Sequence, residues 1–259
     1  MTNSLSNNIL GLEVFSGTKN QLGLTLHKLI TERPSSPYCV SCLNPHSYAV
    51  SIKDDQFRQS LQGSNILLPD GIGILVGGVI LNKFFSERIT GMDFFNETMH
   101  ALNSSSCDSK RVFFLGSQEN VLKKIKEKVH IDYKNITKIG YYSPPFKNEF
   151  DDMDLSKIIN LITDFKPEVV WIGMTAPKQE KLCYELKEHL DPILIGCIGA
   201  VFDFYAGTVI RSSPLFAKFG FEWLPRLIRQ PRRLWRRTFI SAPIFLFHIL
   251  AQKFFKKQS

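Results

Sequence analysis

The stretch NILLPDGIG, residues 65–73, combines a short apolar run with a carboxylate and two glycines. An apolar run that ends in a Pro-Asp-Gly turn is typical of a buried parallel strand followed by a helix. Asp70 would then lie at the carboxyl end of the strand, where ligands bind in an open α/β sheet. The alternative is that Asp70 only caps the next helix, which is the commoner role of a lone aspartate.

Strands and helices alternate along the rest of the chain. Four other apolar runs have the character of buried strands, at 38–43, 111–115, 168–172 and 193–198. Amphipathic stretches with helical periodicity lie at 45–61, 92–102, 118–129, 155–165 and 178–190. This alternation predicts an α/β fold, with a Rossmann-like, mostly parallel sheet and helices on both faces.

Basic charge is concentrated at the C-terminal end. The formal net charge is +8, yet eleven of the 32 Lys and Arg and only one of the 24 acidic residues fall within 211–259. An apolar run at 239–251 is expected to be too short to cross roughly 30 Å of hydrocarbon. We therefore predict a catalytic α/β domain at 1–207 and a basic, aromatic-rich, helical appendage at 208–259 that lies on an anionic membrane surface. A solvated basic face over ordinary core packing is the alternative.

The five cysteines are an odd number, and the N-terminal stretch is polar rather than a secretory signal. A reduced, intracellular location is the expectation. Cys39 and Cys42 form a C-x-x-C with His46 nearby, but no second pair of ligands completes a zinc site. We interpret both thiols as small apolar residues of a strand.

Polar residues follow several of the predicted strands. Asn44 follows the first, Arg88 precedes a glycine turn into a helix, and Gln179 begins the helix after the strand at 168–172. Gly116 opens another helix, where an anion could bind at the N-terminus. Arg88 could bind a diphosphate, or it could form a surface ion pair with an acidic neighbour in the segment 87–93.

Two further patterns have ordinary explanations. Asp152 and Asp154 form a D-x-D that could hold a metal, but they precede an apolar helical stretch and are better explained as helix-capping residues. The glycines at 71, 73 and 77 do not match the dinucleotide fingerprint, because the third glycine comes one residue late. A nicotinamide-dependent oxidoreductase is therefore disfavoured.

Taken in order, these segments resemble the WecG/TagA/CpsF family of bacterial glycosyltransferases. The resemblance runs from about Asn44 to Arg237, and five motifs in series carry it: DGxG at 70–73, ERITGxD at 87–93, PKQE at 177–180, GAxFD at 199–203 and EWLxRL at 222–227.

The resemblance implies an inverting, metal-independent transferase without a cofactor, in the synthesis of a bacterial cell-surface polysaccharide or teichoic acid. Its donor would be a UDP-sugar carrying an N-acetylmannosamine-type sugar, a uronic acid or a hexose. Its acceptor would be a sugar linked to undecaprenyl diphosphate. The expected location is cytoplasmic, peripheral on the inner face of the plasma membrane.

The resemblance also assigns roles to residues. Asp70 would be the general base, and Asn44 and Gln179 would orient the donor sugar. Arg88 and three tail residues would offset the charge on the leaving diphosphate: Arg226, Arg233 and Arg236. Four further residues belong to the donor and diphosphate side: Gly71, Gly73, Gly116 and Lys178.

Two departures from the family pattern stand out. Some members carry Thr where this chain has Cys42, so a hydroxyl contact is missing there, and Arg211-Ser212-Ser213-Pro214 replaces an Arg-Ala-Pro. A basic nucleic-acid-binding α/β protein is the rival hypothesis, but it leaves Asp70, Arg88 and Gln179 without a purpose. We therefore expect no nucleic-acid partner. The apolar tail could also pack on a second copy of the chain in solution.

Overall fold

A computed structural model describes residues 5–106, 110–209 and 235–255. Its centre is a sheet of six parallel strands in the order β4-β3-β8-β7-β5-β6. A small antiparallel hairpin, β1–β2, precedes it. The strands are β1 (Ser6–Ile9), β2 (Leu12–Phe15), β3 (Tyr38–Leu43), β4 (Ile66–Pro69), β5 (Arg111–Gly116), β6 (Lys138–Tyr142), β7 (Val169–Gly173) and β8 (Leu194–Cys197).

Helices connect the strands and cover both faces of the sheet, so the predicted Rossmann-like fold is confirmed. The helices are α1 (Lys19–Glu32), α2 (Pro45–Ser51), α3 (Asp55–Gln62), α4 (Ile72–Ile80), α5 (Gly91–Ser104), α6 (Glu119–Asp132), α7 (Asp152–Phe165), α8 (Lys178–Leu186), α9 (Val201–Tyr205) and α10 (Ala242–Phe255). A π-helical turn, Arg237–Ser241, leads directly into α10.

The five predicted strands all exist, to within a residue or two at their ends. The helix predicted at 45–61 is wrong as a single element, because it is divided into α2 and α3. Asp54 begins the second helix by accepting a hydrogen bond from the amide of Phe57 at 2.9 Å. An aspartate that caps a new helix interrupts the old one.

The two faces of the sheet carry separate hydrophobic clusters. One face packs against α1, α5, α6 and α9, and the other against α7 and α8 and against α2, α3, α4 and α10. Cys39 and Cys42 lie in β3 and pack on opposite faces of the sheet. The interpretation of these thiols as strand residues is confirmed, since residues three apart in a strand point in opposite directions and cannot form a redox pair.

The C-terminal helix packs on the body of the molecule. Phe245 and Ile249 of α10 are buried against α4, where a Cβ added to Gly77 would lie within 3.1 Å of each. The hydroxyl of Tyr48 lies 2.8 Å from Nδ1 of His248. The domain boundary at 207 stays a prediction, because residues 210–234 lie outside the part of the chain that the structure describes.

One correction concerns the length of this apolar segment. The helical stretch Arg237–Phe255 has 19 residues, more than the run that the sequence indicated, and by length and composition it could cross a membrane. The argument that the segment is too short for a span was therefore wrong. What holds the segment at the surface of the body is its packing on α2 and α4.

Candidate active site

Asp70 lies at the carboxyl end of β4, directly beside the end of β3. Its backbone amide donates a hydrogen bond to the carbonyl of Leu43 at 2.9 Å. The next residue, Gly71, is the cap of α4 with φ +97°, and no side chain caps this helix. The N-cap position of α4 therefore belongs to Gly71 rather than to Asp70, and the positive φ explains why glycine follows the carboxylate.

Asn44 is the neighbour of this turn on the adjacent strand. A Cβ added to Gly71 would lie 4.0 Å from Cβ of Asn44. The Asn44 side-chain oxygen accepts hydrogen bonds from the amides of His46 and Ser47, each at 3.0 Å, and so caps α2. Asn44 therefore offers a ligand its side-chain NH₂ group, which is a donor.

Arg88 lies at the same carboxyl end of the sheet as Asp70. The amide of the next residue, Ile89, donates to the carbonyl of Pro69 at 3.2 Å, so the backbone of Arg88 lies alongside the strand end that carries Asp70. The acidic neighbours suggested as surface partners have other contacts. Glu87 accepts a hydrogen bond from the amide of Lys19, and Asp93 pairs with the Lys19 ammonium at 3.0 Å.

Gln179 is buried in the first turn of α8, where it packs against the turn after β8. Its side-chain oxygen would lie 3.5 Å from a Cβ added to Gly199, which has φ +52°. The same oxygen accepts from the amide of Met174 at 3.4 Å, and Nε2 donates to Glu180 at 2.8 Å. Contacts on both sides thus fix the plane of the Gln179 amide.

Three other predicted donor-side residues make contacts within the protein. A Cβ on Gly73 would lie 2.4 Å from Pro45, and one on Gly116, which has φ +109°, would lie 2.8 Å from the Gly173 carbonyl. Both glycines therefore allow close packing between neighbouring elements. The ammonium of Lys178 lies 3.6 Å from the ring centroid of Phe150, in the loop after β6.

The tail arginines differ in how far the structure describes them. Arg226 and Arg233 lie outside the described residues. Arg236 is exposed, with its guanidinium 5.7 Å from the ring centroid of Trp235. Arg237, for which no sequence motif indicates a role, is partly buried, and its charge lowers the pKa values of His46 and Glu180.

His46 and Glu180 have perturbed acid-base properties. Burial, with a smaller effect of the Arg237 charge, lowers the pKa of His46 to about 4. Burial raises the pKa of Glu180 to about 7, although its hydrogen bond from Gln179 opposes the shift. Glu180 belongs to the PKQE motif, but the sequence indicates no role for it. The sequence also does not show which of the adjacent residues Arg236 and Arg237 faces the body of the protein.

The Cys42 thiol is affected by the charges of two carboxylates, Asp70 and Glu180. Burial and then the charges of Asp70 and Glu180 raise the pKa of the Cys42 thiol well above its usual value. The thiol is therefore protonated and is a weak hydrogen-bond donor.

The D-x-D pattern lies at a helix N-terminus, as the sequence indicated, but the N-cap is the preceding residue, Asp151, and Asp152 lies in the first turn. Asp151 and Asp154 form the capping box of α7, and Lys147 contacts both carboxylates at 2.7 Å. Among the described residues, no group of three or more His, Cys, Asp or Glu side chains is placed to hold a metal ion.

An apolar surface begins immediately after Asp70. We define it by the exposed apolar side chains of α4, the π-helical turn and α10: Ile72, Val76, Val79, Phe239, Ile240, Leu246, Phe247, Leu250, Phe254 and Phe255. The two helices that carry most of these residues pack against each other through Gly77. Clustered exposed apolar residues on a soluble body mark an interaction surface.

Known proteins with similar sequences indicate the family of this chain. Residues 7–259 match the family described as "Glycosyl transferase WecG/TagA/CpsF family". A Bacillus subtilis (strain 168) relative is named N-acetylglucosaminyldiphosphoundecaprenol N-acetyl-beta-D-mannosaminyltransferase. It is 32% identical over 84% of this chain and 81% of its own length. A Staphylococcus aureus (strain MW2) relative of the same name is 21% identical over 97% of this chain and 95% of its own length. The chain therefore belongs to the WecG/TagA/CpsF family of glycosyltransferases.

Proposed function

We propose that this enzyme transfers an N-acetylmannosaminyl residue from its UDP-activated form to N-acetylglucosamine on undecaprenyl diphosphate, with Asp70 as the general base. The observation that carries the proposal is the position of Asp70. It follows a buried strand, precedes the glycine that is the N-cap of α4, and lies next to Asn44 at the carboxyl end of the sheet, where ligands bind in open α/β folds. The names of the relatives supply the identities of both sugars.

The reaction we propose is a single displacement. The Asp70 carboxylate takes the proton of an acceptor hydroxyl while that oxygen attacks the anomeric carbon of the donor. The bond between this carbon and the diphosphate oxygen breaks, and its electron pair leaves with UDP. A displacement of this kind inverts the anomeric carbon, so an α-linked donor gives a β product. A β linkage is the one that the relatives' name prints.

Cationic side chains would replace a metal ion at the leaving group. Arg88 lies at the same sheet edge as Asp70, and the sequence places Arg226, Arg233 and Arg236 in the basic C-terminal region. Guanidinium groups bind diphosphate oxygens in a bidentate manner and would stabilise the charge that develops there. The proposal therefore includes activity without a divalent metal.

A membrane would be the partner of the apolar surface. Phe247 and Phe254 are 69% and 68% exposed, and they belong to a helix that follows a basic segment. Apolar and aromatic side chains beside basic residues suit the interface of a membrane that contains anionic lipid. We propose peripheral binding to the cytoplasmic face, which would place a lipid-linked acceptor close to Asp70.

The test is release of UDP by the full-length protein. The reaction would contain UDP-N-acetylmannosamine, a short-chain lipid-diphosphate N-acetylglucosamine and a chelator. Asp70→Asn removes the base at nearly constant volume, and Asp164→Asn, on the exposed side of α7, is the matched control. We expect acceptor-dependent release to fall at least about 100-fold in Asp70→Asn and to stay unchanged in the control.

Three results would contradict parts of the proposal. Release that survives Asp70→Asn excludes the general-base role. Release that stops with chelator and returns with added metal excludes metal independence. No release with any UDP-sugar, together with salt-sensitive binding to RNA or DNA that exceeds binding to anionic vesicles, would favour the nucleic-acid-binding alternative.

A further inference from the structure

Glu180 is a buried carboxylate that the proposed reaction does not use. Its side chain is 2% exposed in the first turn of α8, between the ends of β3 and β8. One oxygen accepts from Nε2 of Gln179 at 2.8 Å, and the other has no hydrogen-bond partner among the described residues. An unsatisfied buried carboxylate oxygen is costly to a protein, and functional sites are where such groups are found.

The contacts of the Gln179 amide give this carboxylate a purpose. An ionised carboxylate only accepts hydrogen bonds, so the NH₂ end of the Gln179 amide must face Glu180 and the oxygen must face the amide of Met174. Flipping the amide would lose both hydrogen bonds. A neutral acid can donate as well as accept and could also pair with the flipped amide, so the 3.4 Å hydrogen bond from Met174 would then be the only one of the two that selects the orientation.

We propose that Glu180 is a positioning residue for the donor sugar: its carboxylate fixes the orientation of the Gln179 amide, and the charge of Arg237, at the start of the C-terminal helical segment, favours the ionised form. The inference rests on the proposed function, since it takes Gln179 as a donor-sugar ligand. Glu180 acts through Gln179, because its own oxygens are buried.

Among the described residues, Arg237, the first residue of the π-helical turn, is the cation whose charge affects the pKa of this carboxylate. Its positive charge lowers the pKa of Glu180, against the larger effect of burial. The other titratable groups around Glu180 are the thiols of Cys42 on β3 and Cys197 on β8, whose pKa values it raises. Both thiols stay neutral, so they add no charge near neutral pH. The C-terminal segment would in this way contribute to donor binding.

The pH dependence of donor binding follows from these charges. With a pKa of about 7, Glu180 is largely ionised at pH 8 and largely protonated at pH 6. We therefore expect the affinity for the donor to rise with pH across this window, as the amide of Gln179 becomes fixed. Removing Arg237 should move the rise to higher pH.

The experiment is calorimetric titration of the full-length protein with UDP-N-acetylmannosamine at pH 6, 7 and 8. Glu180→Gln mimics the protonated acid, and Glu185→Gln, an exposed glutamate of the same helix, is the matched control. We expect Glu180→Gln to raise Kd about tenfold at pH 8 and to remove most of its pH dependence. Arg237→Lys should keep the wild-type profile, and Arg237→Gln should shift it.

The outcomes separate the two proposals. If the wild-type protein does not bind the UDP-sugar, the proposed function fails. If it binds, and Glu180→Gln shows the wild-type Kd and pH profile, the role of Glu180 alone is overturned. A wild-type Kd that does not change between pH 6 and pH 8 also overturns it. Should Glu180→Gln not fold, the two Arg237 variants decide, because equal profiles for Arg237→Gln and Arg237→Lys contradict the coupling.

Discussion

Phe245 and Phe247 lie two residues apart on α10 but on different sides of the helix, so they allow packing and membrane contact to be measured separately. Phe245 is 3% exposed, packs edge to face on Tyr48 with ring centroids 5.5 Å apart, and reaches Gly77 of α4. Phe247 is 69% exposed on the apolar surface. Replacing each with Ala removes the same atoms from two different surroundings.

The expected free-energy changes differ several-fold. Phe245→Ala leaves a cavity between α10, α2 and α4, and the cost is about 3–5 kcal/mol of the free energy of unfolding. Phe247→Ala should change that free energy by less than about 0.5 kcal/mol, because its ring is already in water. On anionic vesicles we expect the exposed ring to contribute roughly 1.5–3 kcal/mol, or about 10- to 150-fold in partitioning.

The assays are urea unfolding followed by circular dichroism and co-sedimentation with vesicles that contain phosphatidylglycerol. Phe245→Ala should lower the urea midpoint, and Phe247→Ala should leave it unchanged but weaken sedimentation. Equal destabilisation by the two variants would refute the packing of α10 that we describe. Wild-type sedimentation of Phe247→Ala would refute the membrane role of the apolar surface.

Two further predictions concern pH and the D-x-D pattern. The folded protein protonates His46 only near pH 4, whereas the unfolded chain protonates it near pH 6.5, so this residue makes stability fall as the pH drops from 6.5 to 4. The urea midpoint of His46→Gln should therefore fall less between pH 7 and pH 4.5 than the midpoint of the wild type does. An equal or larger fall in the variant would contradict the burial of a neutral imidazole. Asp154→Ala should cost about 0.5–1 kcal/mol of stability through the lost capping box while UDP release is retained. Loss of release that added metal restores would instead identify a metal ligand.

The parallel sheet was predictable because its buried strands are continuous apolar runs between turn residues. The run at 38–43 coincides with β3, and the carboxylate after the run at 65–68 lies where parallel-sheet geometry requires. The hairpin β1–β2 and the edge strand β6 were not predicted. The sequences of β1 (SNNI) and β6 (KIGYY) lack a continuous apolar run, and β2 (LEVF) has only four residues, one of them an exposed glutamate.

The site was predictable only in part. Asp70, Asn44 and Gln179 could each be predicted separately, because each follows an apolar run that predicts a strand. The charge of Arg237 affects the pKa of Glu180 although the two residues are 57 positions apart in the sequence, and no local pattern encodes such a long-range effect. The hydrogen bond that commits the Asn44 oxygen to capping α2 also depends on the folded turn.

The turn at Gly71 leaves one residue between Asp70 and the apolar surface, because Ile72 is already exposed on α4. With the membrane against α4, the carboxylate would sit at a fixed height above the bilayer, with no hinge between them. An acceptor hydroxyl on the first sugar of a lipid diphosphate would meet that height, whereas a chain already extended would carry its reactive end past it. This fixed distance from the bilayer would restrict the enzyme to an early step of polymer assembly, in which the acceptor sugar is still attached directly to the lipid diphosphate.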